Sequence, residues 1–384
     1  MARRLTLLLV LLGVALNVKS LWSGGVEWGT AVTDRAAGYW QPDGVTPTGK
    51  PFADVAVGGT LLTASLMSAS WSIGPDDYIS DLAPDTGTFS FKGTVAAVAG
   101  DDVVVSTGQG ALWAGRVDTV QDQRDTKGNH WTTVNATNFI GALGTARLRK
   151  ADGYRNTLDR VIELVARDAG VRIDVVDQSN GTYGLITLQR MAAWSTTFTG
   201  TVLDYANIAA RSSNAMIASQ PDGTIAVMTR EAPLSWPPTA VSLTGASAPV
   251  TWTTFTTRDG EINRWDFSSP SGTDNSVTLN SDIYANGEQA FTIDNWLDAG
   301  DTPPWLALGV PFTDWWAYTP SVHTTYTGEF VVSDFSSTLL QLAPLDWVTE
   351  SGTYSQVMSM QWNVDGPGQP MRLTITTDDF LGRL

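Results

Sequence analysis

The segment "GDDVVVSTGQGALWAGRVDTV", Gly100 to Val120, decides the fold class. Three consecutive valines lead into a Thr-Gly-Gln-Gly sequence, and a second apolar stretch, Leu112 to Val120, leads out of it. β-Branched and aromatic residues on both sides of a glycine-containing turn are typical of two antiparallel strands. The segment therefore predicts a short buried strand, a tight turn and a second strand.

The composition extends this interpretation to the whole chain. Of 384 residues, 42% are hydrophobic and only 16% are charged, which is typical of a folded protein with a substantial core. The chain has no cysteine, so disulfides, thiol nucleophiles and thiolate metal sites are excluded.

Further strand signals lie on both sides of a central region. Short runs rich in Thr, Val and aromatic residues occupy Thr60 to Ile73, "GTFSFKGTV" (87–95) and "HWTTVNATN" (130–138), and similar runs return after residue 241. Gly, Asp and Pro separate them, which favours a barrel or a sandwich. Leu21 to Gly59 is punctuated by Gly and Pro and is predicted to be a long loop.

The central region has helical periodicity. In "NTLDRVIELVARDAGV" (156–171), Asn156 or Thr157 is an N-cap candidate and Gly170 is the expected stop. The apolar residues at helical spacing are Leu158, Val161, Ile162, Val165 and Ala169. A strand is predicted at Val171 to Val176.

A second helix is predicted from Thr201 to Asn214. The Pro221-Asp222-Gly223 sequence that follows predicts a hairpin turn between two strands. Residues 141–240 are therefore expected to form a small α+β domain.

The opening segment is similar to a second segment near the end of the chain. "DDVVVSTGQGALWAGRVDTV" aligns with "LDWVTESGTYSQVMSMQWNV" (345–364) at a constant separation of 244 positions. This alignment superposes Asp102 on Asp346, Val104 on Val348, Gly108 on Gly352 and Val120 on Val364. We therefore expect equivalent hairpins in two related β blocks.

The ordered pattern resembles the central hub proteins of the tail tips and baseplates of long-tailed phages. The segments that carry the resemblance are "GDDVVV…ALWAGRVDTV", "NATNFIGALGTARL", "NTLDRVIELVARDAGVRIDVV", "TVLDYANIAARSSNAMIASQPDGTIAV", "DIYANGEQAFTI" and the closing Leu345 to Val348. They cover most of the chain from about Thr60 onward. The first 59 residues are not part of the pattern.

The resemblance implies a mainly β fold with a small α+β insert, in which two tube-like β-barrels flank a helix-containing domain. The domains would be residues 1–140, with the loop at about 21–59, then 141–240, and then 241–384. Three copies would form a ring that adapts a sixfold tail tube to a threefold tip. A distal tail protein that forms a hexameric ring is the alternative within the same machinery.

The resemblance also implies partners and a location. A hub of this kind would contact copies of itself, the distal tail or tail tube protein, the tape-measure protein, and tip or fibre proteins. It would be made in the host cytoplasm and reside in the virion, and DNA would pass through its lumen during ejection. The net charge of −16 argues against sequence-specific nucleic-acid binding, which needs clustered Lys and Arg, and none is expected. We expect channel-facing Asp, Glu, Ser, Thr, Asn and Gln, with few Lys or Arg.

No catalytic, cofactor-binding or metal-binding residue is predicted, and the protein is not expected to be an enzyme. His130 and His323 lie far apart and are interpreted as ordinary strand or loop residues. Three acidic pairs, Asp76-Asp77, Asp101-Asp102 and Asp378-Asp379, are interpreted as solvated turn residues. Adjacent residues on a strand point to opposite faces, so such a pair is a poor two-carboxylate site.

Two segments leave alternatives open. Trp305, Trp315, Trp316 and Tyr318 are expected in a core or a subunit interface, but they could instead stack on sugar rings in a glycan-binding module. The apolar run after Arg3 and Arg4 is expected to form a strand, Leu5 to Leu11, in the first barrel with Met1 retained. A secretory signal is its alternative.

Overall fold

We analysed a computed structural model of the chain. It describes residues 53–75, 81–107, 109–148, 156–179, 187–188, 200–213, 215–229, 237–243, 251–257, 264–268, 274–278, 288, 290–293, 323–332, 337–350, 352–366 and 369–378.

The described part of the chain is mainly β. Its strands are β1 (Asp54–Val57), β2 (Thr60–Leu61), β3 (Leu66–Ile73), β4 (Thr86–Lys92), β5 (Asp102–Thr107), β6 (Gly110–Arg124), β7 (His130–Asn138), β8 (Asn156–Thr157), β9 (Val175–Asp177), β10 (Thr187–Leu188), β11 (Ala215–Ser219), β12 (Ile225–Thr229), β13 (Val241–Ser242), β14 (Thr251–Thr257), β15 (Arg264–Ser268), β16 (Asp274–Thr278), β17 (Ala290–Ile293), β18 (His323–Val332), β19 (Trp347–Glu350), β20 (Thr353–Val364) and β21 (Met371–Asp378). The helices are α1 (Gly141–Thr145), α2 (Leu158–Asp168) and α3 (Val202–Ser212), and 3₁₀ turns cover Thr63–Ser65 and Thr338–Gln341.

Thirteen of these strands form one sheet with the order β14-β18-β21-β20-β3-β4-β7-β6-β5-β1-β2, and β19 and β13 branch from β20. Within it, the same five-strand arrangement occurs twice. The first block, β3 to β7, has the order β3-β4-β7-β6-β5, and the second block, β14 with β18 to β21, has the order β14-β18-β21-β20-β19. All these pairings are antiparallel. The two blocks therefore share one topology.

The two hairpins singled out by the sequence are equivalent, but the predicted register is wrong, by one residue at the turn and by two at Val120, which corresponds to Trp362 rather than to Val364. The turns join Thr107 to Gly110 in the first block and Glu350 to Thr353 in the second, a separation of 243 positions. From Gly110 and from Thr353 onward, the order of buried, intermediate and exposed residues is the same for the first nine positions. Val348 therefore corresponds to buried Val105 rather than to Val104.

The blocks join edge to edge within the chain. The second half of β20 pairs antiparallel with β3, with Trp362 directly opposite Trp71. Trp71 is stacked between Trp362 and Phe89, with ring centroids 6.2 and 6.3 Å away. Buried side chains from both blocks belong to one hydrophobic cluster, so the junction is part of the core.

The predicted helices are confirmed. Helix α2 begins after the N-cap Thr157 and buries one apolar side, and Gly170 follows it with a φ of 88°. That left-handed conformation suits glycine, which has no Cβ to clash with the backbone. Helix α3 begins at a capping box, in which the Thr201 side chain accepts from the Asp204 N–H and the Asp204 carboxylate accepts from the Thr201 N–H.

The helices pack on a small sheet with the order β11-β12-β9. The predicted Pro221-Asp222-Gly223 turn joins β11 to β12, and Gly223 has a φ of 85°. The predicted strand at Val171 to Val176 is displaced toward the C-terminus. The observed strand is Val175–Asp177, and it pairs parallel with β12. A mainly β fold with a small α+β insert is thus confirmed.

Of the other segment predictions, one is corrected and two lie outside the described residues. The loop predicted to end at Gly59 contains strand β1, which pairs with β5. The apolar run Leu5 to Leu11 and the aromatic segment from Trp305 to Tyr318 lie outside the described residues. In the part of the chain that is described, no helix has the length and hydropathy needed to cross a membrane.

Candidate assembly surface

The main sheet has one apolar and one polar face. Because directly paired residues share a face, the pairings from β14 through to β6 place most Trp, Phe, Val, Leu and Ile residues on the core side and mainly polar residues on the other, where Trp131 and Val331 are apolar exceptions. We call the second side the polar face. Its residues include Ser70, Ser72, Thr88, Ser90, Thr119, Gln121, Thr133, Asn135, Thr137, Thr251, Thr253, Thr327, Gln361, Asn363, Thr374 and Thr376.

The polar face continues across the junction between the blocks. Asn363 of β20 lies directly opposite Ser70 of β3, and Ser70 is opposite Thr88. The row then continues through hydrogen bonds: Thr88 Oγ1 donates to Asn135 Oδ1 at 3.0 Å, and Asn135 Nδ2 donates to Thr119 Oγ1 at 3.0 Å. The two blocks therefore present one continuous hydrogen-bonding surface.

Few charges lie on the polar face. At its paired, solvent-accessible positions from β14 to β6 they are Lys92, Arg116, Glu329 and Arg372. Two exposed carboxylates adjoin them: Asp118 accepts from Thr137 Oγ1, and Asp102 of β5 lies 3.4 Å from Arg116. Glu329 and Arg372 lie 3.8 Å apart and offset each other. The acidity of the chain is therefore not concentrated on this surface.

A tryptophan–glycine–phenylalanine unit occurs once in each block. Trp71 of β3 lies opposite Gly87 of β4, and Trp252 of β14 lies opposite Gly328 of β18. A phenylalanine follows two residues after each glycine, within "TGTF" (86–89) and "TGEF" (327–330).

Both glycines leave room for rings. A Cβ on Gly328 would lie 2.5 Å from the Trp252 ring, and one on Gly87 would lie 2.8 Å from the Phe89 ring. Trp252 contacts Phe330 edge to face at a centroid distance of 6.4 Å, and it stacks on Tyr326 at 5.8 Å. The repeated "TG-x-F" sequence marks these units, and it was not among the motifs predicted from the sequence.

Several strand edges have no partner among the described strands, and two of them lie at the two ends of the run from β14 to β6. One is the outer edge of β14, whose other edge pairs with β18. The second is the outer edge of Thr119–Arg124, the second half of β6, which pairs only with β7. We call this segment the outer β6 segment. Thr251, Thr253, Thr119 and Gln121 are exposed.

Buried polar contacts fix the middle domain against the blocks. Asp85, next to β4, accepts hydrogen bonds from Asn138 Nδ2 at 2.7 Å and from Ser219 Oγ of β11. Gln220 Nε2 donates to the Pro344 carbonyl at 3.0 Å. One contact reaches the first block and the other the segment before β19, so the middle domain bridges both blocks.

Shifted carboxyl pKa values occur in turns and at strand ends. Partial burial raises the pKa of Asp54 in β1, and the hydrogen bond from Thr63 Oγ1 at 3.2 Å opposes that shift. In the β6–β7 turn, hydrogen bonds from Asn129 hold the pKa of Asp125 below its ordinary value. These interactions stabilise local structure.

The His and Asp residues considered for catalysis or metal binding do not form a common site among the described residues. His130 and His323 begin β7 and β18, and Thr94 Oγ1 lies 2.9 Å from His130 Nδ1. Asp102 begins β5, whereas Asp76, Asp77 and Asp379 lie outside the described residues. Within the described ranges, no group of three or more His, Cys, Asp or Glu residues could hold a metal ion.

Comparison with known proteins relates the chain to tail proteins by fold. No family model matches the sequence, and no curated protein matches it. The tail protein from Neisseria meningitidis MC58 superposes with a TM-score of 0.60 at 12% identity, covering 85% of this chain and 96% of that one. The 43 kDa tail protein of prophage MuSo2 from Shewanella oneidensis superposes with a TM-score of 0.54 at 12% identity, covering 85% and 97%. The chain therefore has the fold of these tail proteins over most of its length.

Proposed function

We propose that this protein is a structural ring subunit of a phage tail tip or baseplate. The observation that carries the proposal is the repeated block, in which one strand order occurs twice in a single continuous sheet. The fold shared with two tail proteins supports the same assignment.

The repeat favours three copies in the ring. Two blocks of equal topology, joined side by side, provide two similar positions around an axis. Three chains would then supply six positions, which matches a sixfold tube on one side and a threefold tip on the other. A distal tail protein with a hexameric ring remains the alternative. It fits less well, because six copies of this chain would supply twice as many blocks.

The polar face is the proposed wall of the channel. Ser, Thr, Asn and Gln side chains interact with water and offer DNA few positive charges, so phosphates would not be held during passage. The weak binding follows from a neutral wall rather than from an acidic one. Tape-measure protein before ejection and DNA during it are the proposed contents.

The partner proteins would bind the surfaces that do not line the channel. In this assignment the protein resides in the virion after synthesis in the host cytoplasm. It contacts the distal tail or tail tube protein on one side and tip or fibre proteins on the other. Its role is structural rather than catalytic.

The copy number tests the proposal. Native mass spectrometry of the purified protein over a range of concentrations should show a species of three copies. A species of six copies would favour the distal tail alternative, and a monomer at every concentration would contradict both ring assignments.

The wall assignment has a separate test. Replacement of Thr88, Ser90 and Thr133 by Lys should create duplex-DNA binding at moderate salt, whereas the unmodified protein should bind none. Measurable binding by the unmodified protein would contradict a wall that releases DNA.

A further inference from the structure

The pairing of β20 with β3 inside the chain shows which strand edges of the two blocks can pair with each other. Internally, the second half of β20 pairs with β3, and the central pairs of this ladder are Trp362 opposite Trp71, Gln361 opposite Ser72 and Asn363 opposite Ser70. Each of these strands has an equivalent in the other block. The equivalent of β20 is β6, and the equivalent of β3 is β14.

The residue correspondence follows from the pairings. Trp252 corresponds to Trp71, because each lies opposite the glycine of its block. Val120 corresponds to Trp362, because Val120 pairs with Val134 opposite Phe89, and Trp362 pairs with Leu373 opposite Phe330.

We propose that the outer edge of β14 in one copy pairs antiparallel with the outer β6 segment of a second copy, with Trp252 directly opposite Val120. This inference rests on the proposed ring and names its contact. The same register places Thr253 opposite Thr119 and Thr251 opposite Gln121. The occupant of each edge is thus a second copy of this chain.

The faces agree across the proposed interface. Trp252 and Val120 both lie on the core side, and both are partly buried side chains at the margin of the main hydrophobic cluster. Thr253, Thr119, Thr251 and Gln121 all lie on the polar face. A register shifted by one residue would place the tryptophan on the polar face, so the internal template selects the register that preserves both surfaces.

The strand chemistry also suits a covered edge. Edge strands that remain in solvent are usually protected by Lys, Pro or bulges against pairing with other chains. Strand β14, "TWTTFTT", has no charged residue and no proline. Its pairing with β18 has no register shift. At the internal junction, the tryptophans in the equivalent places are only 1% exposed.

Such a contact joins different surfaces of the two copies and leaves the same two edges open at the ends. Head-to-tail contacts of this kind close into a ring if the rotation per copy permits, and otherwise extend into a filament. In a ring of three copies, each chain would contribute the eight strands from β14 to β6 as one segment around the axis.

Disulfide trapping tests the register directly, because the natural chain has no cysteine. Two single variants, Thr119→Cys and Thr253→Cys, are mixed and oxidised. The internal positive control is one chain with Ser72→Cys and Gln361→Cys, the equivalent pair within the existing junction. The register control mixes Thr119→Cys with Thr251→Cys, which the proposal places on a diagonal, roughly 7–8 Å apart and too far for a disulfide.

The proposal predicts a covalent dimer from Thr119→Cys with Thr253→Cys, at a yield at least several-fold above the register control. If the internal control closes and native mass spectrometry shows three copies, but the mixed pair does not react, the proposed edge contact is wrong and the ring stands. If the mixed pair reacts but the copies form only filaments, the contact is correct and the closed ring is wrong. If only monomers form and no pair but the internal one reacts, both are wrong.

Discussion

Trp71 and Trp252 occupy equivalent positions in the two blocks, each opposite a glycine and close to a phenylalanine, yet their surroundings differ. Trp71 is 1% exposed, because β20 covers the strand edge beside it. Trp252 is half-buried, and β14 has only β18 beside it among the described strands. The comparison shows one structural unit in two settings, one beside a paired strand of the same chain and one at an edge that no described strand covers.

The positions beside these units differ as well. Asp85 precedes Gly87 by two residues and hydrogen-bonds to Ser219 of the middle domain. The residue in the same place before Gly328 is Tyr326, which stacks on Trp252. At this place the first block therefore contacts the middle domain, and the second has an aromatic pair at the edge formed by β14.

The largest effect is expected for Trp71→Ala. This change removes a fully buried ring that stacks on Phe89 and Trp362, so the free energy of unfolding should fall by about 3–5 kcal/mol. Chemical denaturation followed by circular dichroism measures it. A loss below that of Trp252→Ala, made in the same background, would show that the internal junction is not the better-completed unit.

A smaller loss is expected when a methyl group is added at the glycines. A Cβ on Gly328 would overlap the Trp252 ring, so Gly328→Ala should destabilise the fold by about 1–3 kcal/mol and displace that ring. Gly87→Ala should behave similarly. Gly144→Ala is the matched control, because its Cβ would meet Leu203 at an ordinary 3.5 Å. Equal stability of Gly328→Ala and the control would contradict the packing assigned to the unit.

Trp252→Ala should have a modest effect on the isolated chain, about 1–2 kcal/mol, because the ring is only partly removed from water. Its effect should increase with protein concentration if assembly covers β14. The measurement is the denaturation midpoint over a dilution series of variant and unmodified protein. A difference that does not change with concentration would contradict a role for Trp252 in association.

The smallest effect is expected at the strands that pair with β5 and β19, the first strands of the two hairpins. In the first block, β1 lies antiparallel on β5, and in the second, β13 lies parallel on β19. Burial raises the pKa of Asp54 in β1 above 3.8, so the folded chain retains this proton to higher pH than the unfolded chain. The free energy of unfolding should therefore fall as the pH rises from 3.8 through the folded-state pKa. Asp54→Asn should flatten that slope, and an unchanged slope would contradict the burial assigned to Asp54.

The sequence predicted the features that depend on neighbours along the chain. Helices α2 and α3 were recognisable because caps and apolar spacing are local, and the turn at Gly223 was recognisable because its residues favour one backbone conformation. The hairpin repeat was recognisable for the same reason.

The features that depend on distant parts of the chain were not predicted. The pairing of β20 with β3 joins residues nearly 300 positions apart, and neither strand carries a sequence signal for its partner. The alignment of the hairpins was wrong by one residue at the turn and by two at Val120, and the blocks bulge at different places, at Asp118 in β6 and at Met358 in β20. A bulge shifts the register by one and leaves little trace in the composition.

The rotational symmetry of the assembled particle tests the central claim most directly. The claim is that each chain supplies two equivalent positions of a ring. Electron microscopy of the assembled protein, averaged without imposed symmetry, should show a threefold particle with six similar lobes around a central channel. A ring with six copies and twelve blocks, or one whose two blocks lie at different radii, would contradict it.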